Sequence, residues 1–272
     1  MCRHLAYLGP PATLRSLVVD PPHGLHTQAW APRRQRHGTL NADGFGVGWY
    51  APGDPRPARY RHAGPIWGDE SFADLARVTR SAAVLAAVRS ASEGTDPGPA
   101  AAAPFAAGPW LFSHNGKVHG WPESLAGLAA TLPPATLLGL EARVDSALLW
   151  ALVRQRLADG GGQGADQSTG RGAGPAGALA GTIGALAEAG VTGRFNFLLT
   201  DGQVIAASAA GDTLWYRPSG PSGPGVVVAS EPDGVPGWTE VPDGSVLLAT
   251  AQEVTLTPLH AYAHDEGRIA IR

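Results

Sequence analysis

The chain of 272 residues contains a single cysteine, Cys2, directly behind Met1. Removal of an initiator methionine ahead of a small residue leaves a thiol and an α-amine on one residue. An α-amine titrates near about 7.7–8.0, so at neutral pH it can accept the thiol proton, directly or through water. Such a residue is nucleophile and base together. Taken alone, Cys2 fits a second reading as well, because free cysteine often packs as a small buried hydrophobe.

Further positions supply what an acyl-transfer nucleophile requires. In Ser113-His114-Asn115-Gly116-Lys117, the Asn115 side-chain amide and the Gly116 backbone N–H are two donors for a tetrahedral oxyanion. An Asn-Gly pair is equally ordinary turn chemistry. Arg89, in Val88-Arg89-Ser90-Ala91-Ser92, ends an apolar run, and its guanidinium can grip a carboxylate in a bidentate pair. Ser90 and Ser92 stand ready to add hydrogen bonds. Asp145 opens a periodic apolar segment, where a carboxylate suits either a bound ammonium or the cap of a helix. An arginine for a carboxylate and an aspartate for an ammonium together describe an α-amino-acid head group. His114 stands next to the donors and joins Arg89, Ser92 and Asp145 as a substrate-binding candidate. The nine histidines form no His-x₃-His zinc pair on an expected helix, so the expectation is no metal and no cofactor.

Positioning these groups requires a definite set of elements. Residues 3–8 read as a strand, 13–19 as a helix, and 44–50 (GFGVGWY) as a strand whose glycines admit close backbone approach. Residues 69–80 have helical spacing with acidic residues in the first turn. A buried strand ends at Arg89, and 109–116 reads as a strand running into a turn at Asn115-Gly116. The clearest helix begins at Asp145. Residues 159–178 are rich in glycine and read as a flexible surface loop, with a helix resuming at 179–189. From 194 onward, short apolar runs alternate with Gly, Pro, Asp and Ser, the rhythm of antiparallel hairpins. The expected class is α+β with antiparallel sheets, in one domain spanning 1–272.

Composition narrows the function classes. Charged residues make up 16% of the chain and the formal net charge is −3. The most basic stretch, Arg33-Arg34-Gln35-Arg36-His37, is short, whereas nucleic-acid binding calls for a broad basic face. No apolar run approaches the roughly 20 residues that span a bilayer, and no secretory leader is evident. The expected setting is cytoplasmic, with no nucleic acid or membrane as partner. Every basic residue except Lys117 is arginine, which reads as the codon bias of a GC-rich genome.

Together, Met1-Cys2, NADGFGVGW (41–49), VRSAS (88–92), SHNGK (113–117), VDSALL (144–149) and the later FLLTDG and VVVASEP resemble, in order, the class II glutamine amidotransferases of the N-terminal nucleophile hydrolase superfamily. The resemblance implies a four-layer αββα sandwich, two antiparallel sheets between helical layers. It implies Cys2 as nucleophile, Asn115 and Gly116 as oxyanion hole, Arg89 on the substrate α-carboxylate and Asp145 on its α-ammonium. Most members carry a second domain that consumes ammonia, whereas here the sandwich takes up essentially the whole chain. MCRHLAYLG and NADGFGVGWY are similar to the group of stand-alone hydrolases in ergothioneine synthesis. The implied activity is hydrolysis of the γ-glutamyl amide of γ-glutamyl-hercynylcysteine S-oxide, a small-molecule substrate, with no obligatory protein partner. Two other readings use the same residues: a glutaminase subunit supplying a separate synthase, and a catalytically silent module that binds γ-glutamyl compounds or proteins.

Overall fold

The computed structural model describes residues 2–92, 94–160, 174–218 and 223–262. In chain order the elements are β1 (Arg3–Thr13), α1 (Leu14–Val18), α2 (Leu25–Gln28), β2 (Phe45–Trp49), β3 (Ala58–His62), α3 (Glu70–Val78), β4 (Arg80–Val88), β5 (Phe105–Ala107) and β6 (Trp110–Val118). There follow α4 (Ala126–Ala129), α5 (Pro134–Leu138), α6 (Asp145–Gly160), α7 (Gly174–Glu188), β7 (Gly193–Thr200), β8 (Ile205–Ala209), β9 (Trp215–Pro218), β10 (Val226–Ala229), β11 (Thr239–Glu240), β12 (Ser245–Ala249) and β13 (Val254–Pro258).

Two antiparallel sheets form the centre. A seven-stranded sheet has the order β11-β9-β10-β1-β4-β2-β3, and a six-stranded sheet the order β13-β12-β8-β7-β6-β5. Side chains alternate across each strand, so each sheet feeds two cores. Along β1, Leu5 and Tyr7 join Val84, Ala86 and Phe72 under the first helices. Ala6 and Leu8 point the other way and meet Leu111, Leu198 and Ala207 of the facing sheet. On the far side of the second sheet, Phe112, Phe197 and Leu199 pack against Leu149, Trp150 and Val153 of α6 and Leu179 of α7. Helix, sheet, sheet and helix therefore stack in four layers, the αββα arrangement.

Local chemistry explains several boundaries. Asp69 caps α3, its carboxylate accepting from Phe72 N at 2.9 Å, and the element ends at Val78 because Arg80 already pairs with Thr13 in β1. Part of the expected loop over 159–178 is helical: 159–160 close α6 and 174–178 open α7, while 161–173 lie outside the described residues. Small residues explain the difference, since alanine is the best helix former and offsets the intervening glycines.

The glycines of β2 do what close backbone approach requires. Phe45, Val47 and Trp49 belong to the helix-side core, which leaves Gly46 and Gly48 toward the facing sheet. A Cβ on Gly48 would lie 2.6 Å from Leu111 Cδ1 and 3.0 Å from Pro104 Cγ. Overpacking such a seam costs about 1–3 kcal/mol. Gly48→Val is therefore expected to lower unfolding free energy by about that amount. Gly127→Ala, on an exposed helix position with nothing within 4 Å of the added carbon, is expected to be neutral or stabilising by up to about 1 kcal/mol. Urea denaturation of both variants reads the contrast.

Candidate active site

Strand β1 lies between β10 and β4 in its sheet, so the residue ahead of it emerges at the end of a strand fixed on both sides. That residue is Cys2, partly exposed. It lines a cavity with Arg89, Ser90, Ser92, Thr95, Phe105, His114, Gly116, Asp145 and Ser146. Seven of the eight residues singled out in the sequence thus reach one cavity. The eighth, Asn115, is fully buried behind it.

Arg89 follows the last residue of β4 and is held from three sides. Its backbone N–H donates to Gly44 O at 2.7 Å, and its carbonyl accepts from Asp43 N at 3.0 Å. One terminal nitrogen donates to Thr95 Oγ1 at 3.0 Å and to Asp96 O at 2.9 Å, the other to Asp43 O at 3.4 Å. Asp43 also accepts from Ala91 N at 2.8 Å. The Asn41-to-Gly44 segment is thereby the brace of the arginine. A guanidinium carries five donors, so capacity remains for a carboxylate in the cavity. Ser92 contributes its wall position and a carbonyl that accepts from Thr95 Oγ1 at 2.6 Å.

Asn115 and Gly116 do not form the expected turn. Strand β6 continues to Val118, with Asn115 opposite Asn196 and Gly116 opposite Phe195 in β7. The glycine answers a steric need in the sheet, because a Cβ there would overlap the Arg194 carbonyl oxygen and approach His114 Nε2 to 2.5 Å. The Asn115 Nδ2 donates to Ser230 Oγ at 3.2 Å, while its Oδ1 is buried without a partner among the described residues. Both ring nitrogens of His114 are engaged within the protein, Nδ1 with Ser146 Oγ at 3.0 Å and Nε2 with Arg194 O at 2.8 Å. Nε2 must donate to that carbonyl, so Nδ1 accepts from the serine hydroxyl if the ring is neutral. Asp145 is the first residue of α6 and binds strand as well as helix. Its Oδ2 accepts from Val118 N at 3.1 Å and its Oδ1 from Ser146 N at 2.7 Å.

Sequence reasoning missed the residues that fasten the strand behind Cys2. Arg3 and Glu231 are both fully buried, with Arg3 Nε 3.8 Å from Glu231 Oε2. The Glu231 carboxylate also accepts from His23 Nε2 at 2.8 Å, Arg33 N at 3.1 Å and Arg34 N at 2.5 Å. Ser230 Oγ accepts from His4 N at 3.0 Å, and His4 Nδ1 meets Ser113 Oγ at 3.1 Å across the two sheets. One signal was present: a polar Ser-Glu pair ending the apolar run Val226-Val227-Val228-Ala229. Of the five tryptophans in the first half (Trp30, Trp49, Trp67, Trp110 and Trp121), none lines the cavity of Cys2. Among the described residues, no three or more His, Cys, Asp or Glu side chains could hold a metal ion. None of the described helices is long and apolar enough to cross a membrane.

The arrangement sets a thiol, a guanidinium and a carboxylate around one small cavity, with amide donors in the strand beside it. Residues 19–223 match the family described as glutamine amidotransferases class-II. The chain is 42% identical over 262 residues to the gamma-glutamyl-hercynylcysteine sulfoxide hydrolase of Mycolicibacterium smegmatis, covering 95% of this chain and 100% of that one. It is 41% identical over 260 residues to the protein of that name from Mycobacterium tuberculosis, covering 95% and 97%. Among solved structures, a glutamine aminotransferase class-II domain protein from Silicibacter pomeroyi superposes with a TM-score of 0.64 at 24% identity, over 95% of this chain and 99% of that one. The glutamine phosphoribosylpyrophosphate amidotransferase of B. subtilis gives 0.64 at 14%, over 95% of this chain and 49% of that one.

Burial holds His4 neutral. Desolvation, helped by His114 and Arg3, pulls its pKa from 6.5 down to about 3. The unfolded chain binds this proton near pH 6.5 and the folded chain does not, so stability is full above pH 6.5 and falls as the pH drops toward 3. Urea denaturation at stepped pH is expected to show that fall. His4→Asn, which has no proton to take up, is expected to show a shallower one, and equal slopes would contradict the assignment.

Proposed function

The chain belongs to the class II glutamine amidotransferase family, and from that premise we propose that it hydrolyses the γ-glutamyl amide of γ-glutamyl-hercynylcysteine S-oxide, releasing glutamate and hercynylcysteine S-oxide. The observation that carries the reading is the convergence of Cys2, Arg89 and Asp145 on one cavity. Full-length identity to hydrolases named for this substrate supports the choice of leaving group.

In the proposed reaction, Arg89 binds the α-carboxylate of the glutamyl half and Asp145 its α-ammonium. Removal of Met1, which lies outside the described residues, frees the α-amine of Cys2. That amine takes the thiol proton as the sulfur attacks the γ-carbonyl carbon. Asn115 and Gly116 donate to the oxyanion. Collapse breaks the C–N bond, and the α-ammonium returns its proton to the departing amine. Water, deprotonated by the same amine, then attacks the thioester. Glutamate leaves and the thiol is restored. Nothing in these steps needs a cofactor. Residues 2–272 act in them as one catalytic unit, with no obligatory protein partner, on a small molecule in the cytoplasm.

Glutamate release from γ-glutamyl-hercynylcysteine S-oxide, γ-glutamylcysteine and glutamine tests the reading. Turnover is expected to be fastest with the S-oxide, and Cys2→Ala to lose at least about a thousandfold in kcat. Asp145→Asn keeps an acceptor for Val118 N and removes the charge. It is expected to lower kcat/KM roughly tenfold to a hundredfold, mainly through KM, as is Arg89→Lys. Faster turnover of glutamine than of the S-oxide would contradict the reading, as would full activity in Cys2→Ala.

A further inference from the structure

We propose that Ser230 is a positioning residue for the reaction proposed above, on which this inference rests: its hydroxyl fixes the Asn115 amide so that the NH₂ faces the developing oxyanion. Three observations carry it. Ser230, His4 and Asn115 are all fully buried, so each polar atom among them needs a partner inside the protein. Ser230 Oγ lies 3.0 Å from His4 N and 3.2 Å from Asn115 Nδ2. Asn115 Oδ1 has no partner among the described residues.

His4 N–H can only donate, so the serine oxygen must accept there. A hydroxyl still has one proton to give. Half a turn of the Asn115 amide brings Oδ1 to the serine at the same separation, and the hydroxyl donates to it. The NH₂ then stands where the orphaned oxygen was. A buried acceptor without a donor becomes a buried donor without an acceptor, the condition an oxyanion relieves when it forms.

The remaining bonds of Ser230 make it a rigid reference point. Its N–H donates to His4 O at 3.0 Å, and its carbonyl accepts from Thr213 Oγ1 at 2.8 Å. Residue 230 therefore grips the backbone of residue 4, two positions from the thiol, and the side chain of residue 115 in the other sheet. Nucleophile and oxyanion donor share one support.

The test compares wild type, Ser230→Ala, Ser230→Thr and Ser230→Cys. It reads kcat and KM for the γ-glutamyl substrate, the affinity for glutamate, and the affinity for glutamate γ-semialdehyde. The aldehyde takes up the Cys2 thiol to form a tetrahedral hemithioacetal: an S–C bond forms, the C=O bond becomes single, and the thiol proton neutralises the oxygen. Ser230→Ala is expected to lower kcat roughly tenfold to a hundredfold, short of the 10²–10³ lost with an oxyanion donor itself. Aldehyde affinity is expected to fall in parallel, with KM and glutamate affinity within about twofold of wild type. Ser230→Thr, which keeps the hydroxyl, is expected to restore both. Ser230→Cys, a weaker donor of similar shape, is expected to fall between and serves if the alanine variant does not fold. Unchanged kcat and aldehyde affinity in an active, folded Ser230→Ala protein would overturn this inference alone, as would equal losses in glutamate and aldehyde affinity. A wild type that releases glutamate from no γ-glutamyl amide would overturn the proposed function with it.

Discussion

The site depends on fastening the first residues of β1 to a strand of the opposite sheet. Apolar contacts hold the two sheets together along most of their seam. At one end they give way to polar side chains: His4 meets Ser113, and Asn115 meets Ser230. In a dry interior such bonds are directional and costly to leave unmade. They set the register of Cys2 against Asn115 and Gly116 in a way that apolar packing, which is not directional, would not.

A second clamp operates on the opposite face of the same strand. Glu231 neighbours Ser230 in the chain and, by alternation, serves the helix side. Its carboxylate gathers Arg3, His23 and the backbone of Arg33 and Arg34. The segment that begins there returns at Asp43 to brace Arg89. Residues 33–43 therefore run between the support of the strand behind Cys2 and the support of the carboxylate-binding candidate. Replacing one member of a buried ion pair leaves the other uncompensated, so damage at Glu231 would spread to both ends of that segment.

Much of this was legible in the sequence, for identifiable reasons. The alternation in β1 and β4 and the ordered short motifs carry the four layers, because strand periodicity is a local property. The convergence of Cys2, Arg89 and Asp145 on one cavity follows from residue types placed at element ends. Asn115-Gly116 was misread as a turn, because the pair has turn chemistry and the demand for glycine comes from Arg194 in the next strand. Strands β3 and β5 went unread. Their sequences, ARYRH and FAA, show too little alternation or length. Ser230 and Glu231 escaped because their partners are distant in the chain, Asn115 and His4 lying 115 and 226 residues from Ser230 and His23 208 from Glu231, beyond any local pattern.

In the proposed reaction Cys2 attacks a γ-glutamyl carbonyl and carries the acyl group. Mass spectrometry of protein mixed with γ-glutamyl-hercynylcysteine S-oxide and quenched in acid within the first turnover tests it most directly. The expected product is a peptide beginning at Cys2, without Met1, bearing a hydroxylamine-sensitive γ-glutamyl group on its sulfur. Rapid glutamate release with Met1 still attached, or with no adduct on Cys2 at any quench time, would contradict it.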